Sequence, residues 1–239
     1  MAFMVMSSTV MAQSLQFNVD GLGLMGNSSY KVDGDELTTK DWGFAVNAQV
    51  EVYPNVLLEG NFSSSWATKK MEEEQAVDLT EGDAYRQNLV LAGAKYRVLA
   101  DNGMDFFVGA GYGRADVSLS QTTAVEAVPL TEADLEKHLF SGWGVYGKAG
   151  VVVAINQQFS IRGDVAYSPA ARFTSDDVDE IKGSLLSGRG VLAYSINPSM
   201  GVQVGVVHNT VSGTKGDDGA EFKGNFSATM YGAGLVLSF

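Results

Sequence analysis

Apolar and polar residues alternate with a period of two along most of this chain. The clearest run is the last, Asn225 to Phe239. Tyr231, Ala233, Leu235, Leu237 and Phe239 share one parity, and Met230, Gly232, Gly234, Val236 and Ser238 share the other. Successive side chains of an extended chain point to opposite faces, so this spacing predicts a two-faced strand and not a helix. One face is apolar with aromatics near both ends; the other is small and compact. A soluble protein rarely ends on such a ladder, whereas a barrel in lipid presents one on every strand.

The same rhythm recurs upstream. Leu15, Phe17 and Val19 alternate with Asn18 and Asp20, and the parity then blurs through Gly21 and Gly23, which predicts a bulge. Trp42, Phe44, Val46, Ala48, Val50 and Val52 form an outer face against Asn47, Gln49 and Glu51. Leu58, Phe62 and Trp66 oppose Glu59, Asn61 and Ser63; Val90, Ala92, Ala94, Tyr96 and Val98 oppose Lys95 and Arg97. Phe106, Val108, Ala110 and Tyr112 alternate with Phe107 and three glycines. Trp143, Val145, Ala149 and Val151 oppose Tyr146 and Lys148, and Ile161, Val165 and Tyr167 oppose Arg162 and Asp164. Leu192, Tyr194 and Ile196 oppose Ser187, Arg189 and Ser195, and Val202, Val204 and Val206 oppose Gln203 and Gly205.

Tight turns are expected at Tyr53-Pro54-Asn55, Asp101-Asn102-Gly103, Asn156-Gln157-Gln158 and Asn197-Pro198-Ser199. Between them lie long polar segments, read as loops: Asn27–Asp41, Ala67–Asp83, Leu119–His138, Pro169–Gly183 and Gly213–Lys223. Ten strands joined alternately by turns and loops give an all-β, closed antiparallel up-and-down barrel, with eight strands and a longer plug segment as the alternative. Short inner turns and longer outer loops are the rhythm of an outer-membrane barrel. Trp42, Trp66, Tyr96, Tyr112, Trp143, Tyr167, Tyr194 and Tyr231 fall at the ends of outer faces, where interfacial aromatic girdles sit.

Charge sharpens this division. The five long segments hold 21 of the 28 acids and 9 of the 16 bases, so the whole net charge of −12 lies in them. In the strands, charges fall mainly at inward parity or near turns: Glu51, Glu59, Lys95, Arg97, Lys148, Arg162, Asp164 and Arg189. A charge facing lipid at the bilayer midplane costs roughly 2–4 kcal/mol, so inward placement is required. Glycine, at 28 of 239 residues, is nearly double the usual ~7% and suits a narrow, crowded lumen. No apolar run after the N-terminus is long enough for a spanning helix. The chain has no cysteine. Val10-Met11-Ala12 fits a small-x-small cleavage pattern, so residues 1–12 read as the remnant of an export signal and 13–239 as one barrel domain.

The chain resembles the small bacterial outer-membrane β-barrel superfamily, of OmpA-like and opacity type. The residues that carry this are Phe106 to Arg114 (FFVGAGYGR), the hairpin Gly142 to Pro169, and the terminal strand with its aromatic end. The resemblance implies residence in the bacterial outer membrane, contact with membrane lipid and lipopolysaccharide, and a monomeric state. It also implies recognition of the C-terminal strand by the barrel-assembly machinery, through Tyr231, Leu235, Leu237 and Phe239. It fixes no activity, because this superfamily hosts adhesins, pores, enzymes and structural proteins.

Candidate chemistry is sparse. His138 lies near Ser141, Asp134 and Glu136, and His208 is followed by Asn209. A hydrolytic site at the outer rim is conceivable with these residue types; the plainer reading is interfacial histidines. The paired aspartates of omptin-type proteases are missing. The acidic clusters Glu72-Glu73-Glu74, Asp176-Asp177-x-Asp179-Glu180 and Asp217-Asp218 suit solvated loops or divalent cations. Asp33-Gly34-Asp35-Glu36 does not match an EF-hand. Net negative charge argues against nucleic acid. No catalytic residue, cofactor or metal site is therefore assigned. The expected role is structural or surface-interacting through acidic loops. A narrow small-solute channel is the alternative, and an outer-rim lipid or peptide hydrolase the third reading. Water-filled porins use 16–18 strands, so ten strands with charged side chains inside leave little bore.

Overall fold

Among the described residues, ten strands form a single closed sheet. A computed structural model describes residues 16–32, 35–68, 84–101, 103–120, 136–175, 178–215 and 222–239. In chain order the strands are β1 (Phe17–Val32), β2 (Asp35–Tyr53), β3 (Val56–Thr68), β4 (Ala84–Asp101), β5 (Met104–Ser120), β6 (Glu136–Ala154), β7 (Phe159–Ser175), β8 (Val178–Asn197), β9 (Met200–Lys215) and β10 (Phe222–Ser238). Each pairs antiparallel with its sequence neighbours, and β1 pairs with β10 to close the barrel. Ten strands, not eight, carry the closure.

The four expected turns join β2 to β3, β4 to β5, β6 to β7 and β8 to β9. Asn55 and Gly103 take positive φ there, at 67° and 80°, a conformation that asparagine and glycine tolerate best. These turns, the start of β1 and the end of β10 define one end of the barrel, the turn end. The seam is sealed there by mutual backbone hydrogen bonds between Phe17 and Phe239, whose rings lie 6.3 Å apart. The opposite end, the loop end, carries the longer connections, those from β3 to β4, β5 to β6 and β9 to β10, together with two short ones.

The outer face follows the alternation in the sequence. Val108, Val145, Val165 and Val204 are all about half exposed, and their strand neighbours Phe107, Tyr146, Ala166 and Gln203 are buried. The two sides of each strand are thus chemically separate, and the exposed side is an apolar belt suited to lipid. On β10, Tyr231, Leu235, Leu237 and Phe239 all point outward.

Three expectations are corrected. First, Asn27–Asp41 and Pro169–Gly183 are not loops. β1 and β2 stay paired out to Val32 and Asp35, and β7 and β8 to Ser175 and Val178. Backbone ladders do not require an apolar outer face, so the sheet continues past the apolar belt with polar residues outside and a mixed interior: Ser28, Thr39 and Asp41 on β1 and β2, Ala171, Phe173 and Ile181 on β7 and β8. Second, β1 has no bulge at Gly21 or Gly23; its register with both neighbours is unbroken. Leu22 and Leu24 point into the barrel and the glycines point out, so the polarity of the faces inverts while the register holds. Third, the interior is not uniformly polar. Two buried apolar clusters fill much of it, one containing Phe140, Phe173, Phe226, Ile181 and Leu185, the other Leu22, Leu24, Val191 and Met230.

Candidate functional site

The interior of the barrel holds most of the molecule's unusual chemistry, arranged in layers. Nearest the middle, Glu59 of β3 is almost fully buried. Its carboxylate meets Lys95 Nζ of β4 at 3.1 Å and Lys148 Nζ of β6 at 2.9 Å. Lys148 also reaches Asp164 of β7 at 3.0 Å, and Lys95 donates to Gln49 Oε1 of β2 at 2.8 Å. A chain of alternating charges thus spans the lumen. Period-two alternation places each of these groups inward, and burial is tolerable only because each meets an opposite charge.

A second knot centres on Asp20 of β1, which is 4% exposed. It accepts hydrogen bonds from the Arg189 guanidinium, from Asn47 Nδ2 at 2.9 Å and from Gln203 Nε2 at 3.3 Å, and Arg162 stands 4.0 Å away. Toward the turn end, Arg97 lies between Glu51 at 3.9 Å and Asp105 at 3.6 Å, over the Phe107 ring. The eight lumen charges named from sequence all enter these three groups. Asp20 and Asp105 belong with them. Asp20 already had inward parity, and two inward arginines without a matching acid were the signal that it was needed.

Beyond the central charges, toward the loop end, the lumen holds a packed apolar plug beside buried polar side chains such as Ser63, Gln87 and Asn209. Phe140 of β6 is fully buried, with its ring centroid 5.5 Å from Phe173 of β7 and 5.0 Å from Phe226 of β10. Glycines provide the space: a Cβ on Gly213 would fall 2.4 Å from the Phe140 ring, and one on Gly224 would fall 2.7 Å from it. Tyr30 closes the plug from β1, edge-on to Phe226. Beside it, the buried Asp41 carboxylate accepts from the Ser28 hydroxyl and from Thr39 Oγ1, the latter at 2.6 Å. Between plug and charges sits Tyr146, buried against Gly93 and Gly111. At the turn end a polar vestibule of about 180 Å³ remains, lined by Asn18, Gln49, Glu51, Arg97 and Arg162 among others.

Outside, Trp42, Trp66, Tyr96, Tyr112, Trp143, Tyr167 and Tyr231 are exposed on the wall, and Tyr194 packs half-buried against Phe159 at 4.9 Å. His208 also faces outward, with Nδ1 2.8 Å from Thr229 Oγ1 and Nε2 3.0 Å from Thr210 Oγ1. Neither ring nitrogen is paired with an acid or a serine. Asp134, Asp176, Asp177 and the acidic clusters at 72–74 and 217–218 lie outside the described residues, as do residues 1–15 and the side chains of Glu136, His138, Asp179 and Glu180.

The family model of the outer membrane protein beta-barrel domain matches residues 1–187. Among solved structures, the chain is similar to the outer membrane protease OmpT of Escherichia coli, at 14% identity over 94% of this chain and 96% of that one, with a TM-score of 0.50. It is also similar to Ail, the attachment invasion locus protein of Yersinia pestis, at 14% identity, covering 94% and 100% of the two chains, TM-score 0.43. Neisserial surface protein A aligns at 11% identity, covering 95% and 100%, TM-score 0.43. At such identities the likeness concerns the fold alone, and the latter two scores are too low to weigh. No curated protein matches the chain.

Proposed function

This chain belongs to the outer membrane protein beta-barrel domain family and resides in the bacterial outer membrane, and from that premise we propose that it is a closed, non-enzymatic barrel with a structural and surface-directed role. The turn end faces the periplasm and the loop end the exterior. The observation that carries this reading is the filling of the lumen: the Glu59–Lys95–Lys148–Asp164 chain across the middle and the Phe140–Phe173–Phe226 plug above it. A conducting path would have to separate buried, paired charges and a packed aromatic layer in turn. Each separation costs several kcal/mol. What remains for interaction is the exterior, where the three long connecting segments 67–83, 119–138 and 213–223 hold 13 acids against 5 bases, a net charge of −8. That charge favours basic surfaces as partners.

Planar-bilayer recording of the purified protein separates this role from that of a narrow channel. The expected result is no steady conductance above the bare bilayer at neutral pH. A sustained, ohmic single-channel current from the wild-type chain would overturn the closed-barrel reading and restore the channel.

A further inference from the structure

The polar vestibule at the turn end carries charges of both signs that do not balance wall by wall. We propose that it binds a compact zwitterion, a free amino acid or a dipeptide, with the carboxylate at Arg162 and the ammonium at Asp105 and Glu51.

The vestibule holds about 180 Å³, and Asp20, Glu51, Arg97, Asp105, Arg162 and Arg189 all line it. At about 30 Å³ per water, that is room for roughly six waters. The size suits a small molecule and is too small for a folded segment of another chain.

The lumen charges among the described residues fall into three groups. The central chain is balanced, with Glu59 and Asp164 against Lys95 and Lys148, and its contacts are tight at 2.9 to 3.1 Å. The other two groups are neither balanced nor tight. On β7, β8 and β1, Arg162 and Arg189 share a single carboxylate, that of Asp20. Arg189, Asn47 and Gln203 already donate to it, and Arg162 stands 4.0 Å away, beyond hydrogen-bond reach. Arg162 Nε is buried with no hydrogen-bond partner. This wall carries one cation in excess. On β2, β4 and β5 the relation reverses. Glu51 and Asp105 share one guanidinium, that of Arg97, at 3.9 and 3.6 Å. That wall carries one anion in excess.

The two excesses face a common space. Asp105, Val152 and Arg162 lie in one cross-strand row of β5, β6 and β7. Two strand spacings put the backbones of Asp105 and Arg162 roughly 10 Å apart. Each turns to its own partner, Asp105 to Arg97 and Arg162 to Asp20. The anionic side is also set by local irregularity. The β2–β3 register shifts between Glu51 and Tyr53, and the β4–β5 register between Arg97 and Leu99. Bulges at a barrel rim re-aim the side chains beside them. Arg97 in turn lies over the Phe107 ring, 5.7 Å from its centroid.

A ligand of one sign would satisfy one wall and be repelled by the excess on the other. A zwitterion meets both, and each end forms the charge-assisted hydrogen bonds that the loose contacts lack. Binding needs no path through the barrel, so it stands apart from the question of conductance. Only the periplasmic source of the ligand rests on the orientation proposed above.

The test uses the full chain refolded in a nonionic detergent, because zwitterionic detergents would compete. Glycine and glycylglycine are titrated by ligand-observed NMR, each beside its N-acetylated form, which lacks the ammonium, and its amidated form, which lacks the carboxylate. The wild-type chain should bind at least one of the two zwitterions saturably, and roughly tenfold more tightly than either blocked form. The tighter of the two tells an amino-acid site from a dipeptide site. Arg162→Gln should bring the zwitterion down to the level of its amidated form. Glu51→Gln/Asp105→Asn should bring it down to the level of its N-acetylated form. Lys40→Gln, exposed near the loop end, should change nothing. No saturable binding of either zwitterion by the wild-type chain overturns the proposal and needs no variant. Equal affinity for the N-acetylated form would make the site one for anions and would also overturn it. So would undiminished binding in Arg162→Gln, checked as folded by its gel mobility before and after boiling.

Discussion

Replacing Glu59 by alanine is expected to destabilise the barrel by about 3–5 kcal/mol, the usual cost of removing one partner from a buried ion pair. The Glu59 side chain is 1% exposed, and two lysines lie within 3.1 Å of its oxygens. Lys148 would keep Asp164, and Lys95 would keep only the neutral Gln49. Two neighbouring cations would then share a low-dielectric interior with one acid on one side. Urea unfolding in micelles, followed by tryptophan fluorescence, should show the loss as a lower midpoint. Glu59→Ala combined with Lys95→Met should recover part of it, because the stranded charge goes with its partner. If Glu59→Ala alone shifts the midpoint by less than what a surface substitution does, the central ion chain does not hold the barrel.

The second large effect is expected at Phe140. Truncation of a buried phenylalanine to alanine costs about 3–5 kcal/mol, part of it for the cavity left behind. Phe140 has no exposed surface, touches Phe173 and Phe226, and lies against two glycines that cannot fill the void. Phe140→Ala should therefore lower stability about as much as Glu59→Ala. It should leave conductance at the bare-bilayer level, because the charged layer beneath it is untouched. Stability and conductance measured on the same preparation distinguish a structural plug from a gate: a current appearing in Phe140→Ala would identify the ring as a gate.

What was legible in the sequence follows from what alternation encodes. A period of two reports that a strand has two chemically different faces. It was clear on β5 and β10, where apolar residues alternate with glycine, and on β2, where they alternate with Asn47, Gln49 and Glu51. Turns were clear because Pro54, Asn55, Gly103 and Pro198 constrain the backbone locally. The lumen charges were clear because charge has only one tolerable face in a lipid-embedded sheet.

Alternation fades where both faces share a character, and there the reading missed. Ser28, Thr39 and Asp41 point inward on strands whose outward residues are polar too, so β1 and β2 looked like a loop. Leu22 and Leu24 are apolar and inward beside outward glycines, so the pattern resembled a slip of register. The plug was illegible for a different reason. Phe140, Phe173 and Phe226 come from β6, β7 and β10 and meet only because the barrel closes. No local window contains them together.

Membrane crossing by a closed barrel, with lipid outside and a packed interior, is tested most directly by a nitroxide scan along β5. The chain has no cysteine, so single cysteines can be introduced one at a time from Phe106 to Tyr112. In reconstituted bilayers, labels at positions 106, 108, 110 and 112 should collide freely with oxygen dissolved in lipid. Labels at 107 and 109, which line the turn-end vestibule, should be shielded from lipid-dissolved oxygen and reached only by a water-soluble nickel complex. Flat accessibility along the strand, or free collision with lipid-dissolved oxygen at 107 and 109, would contradict it.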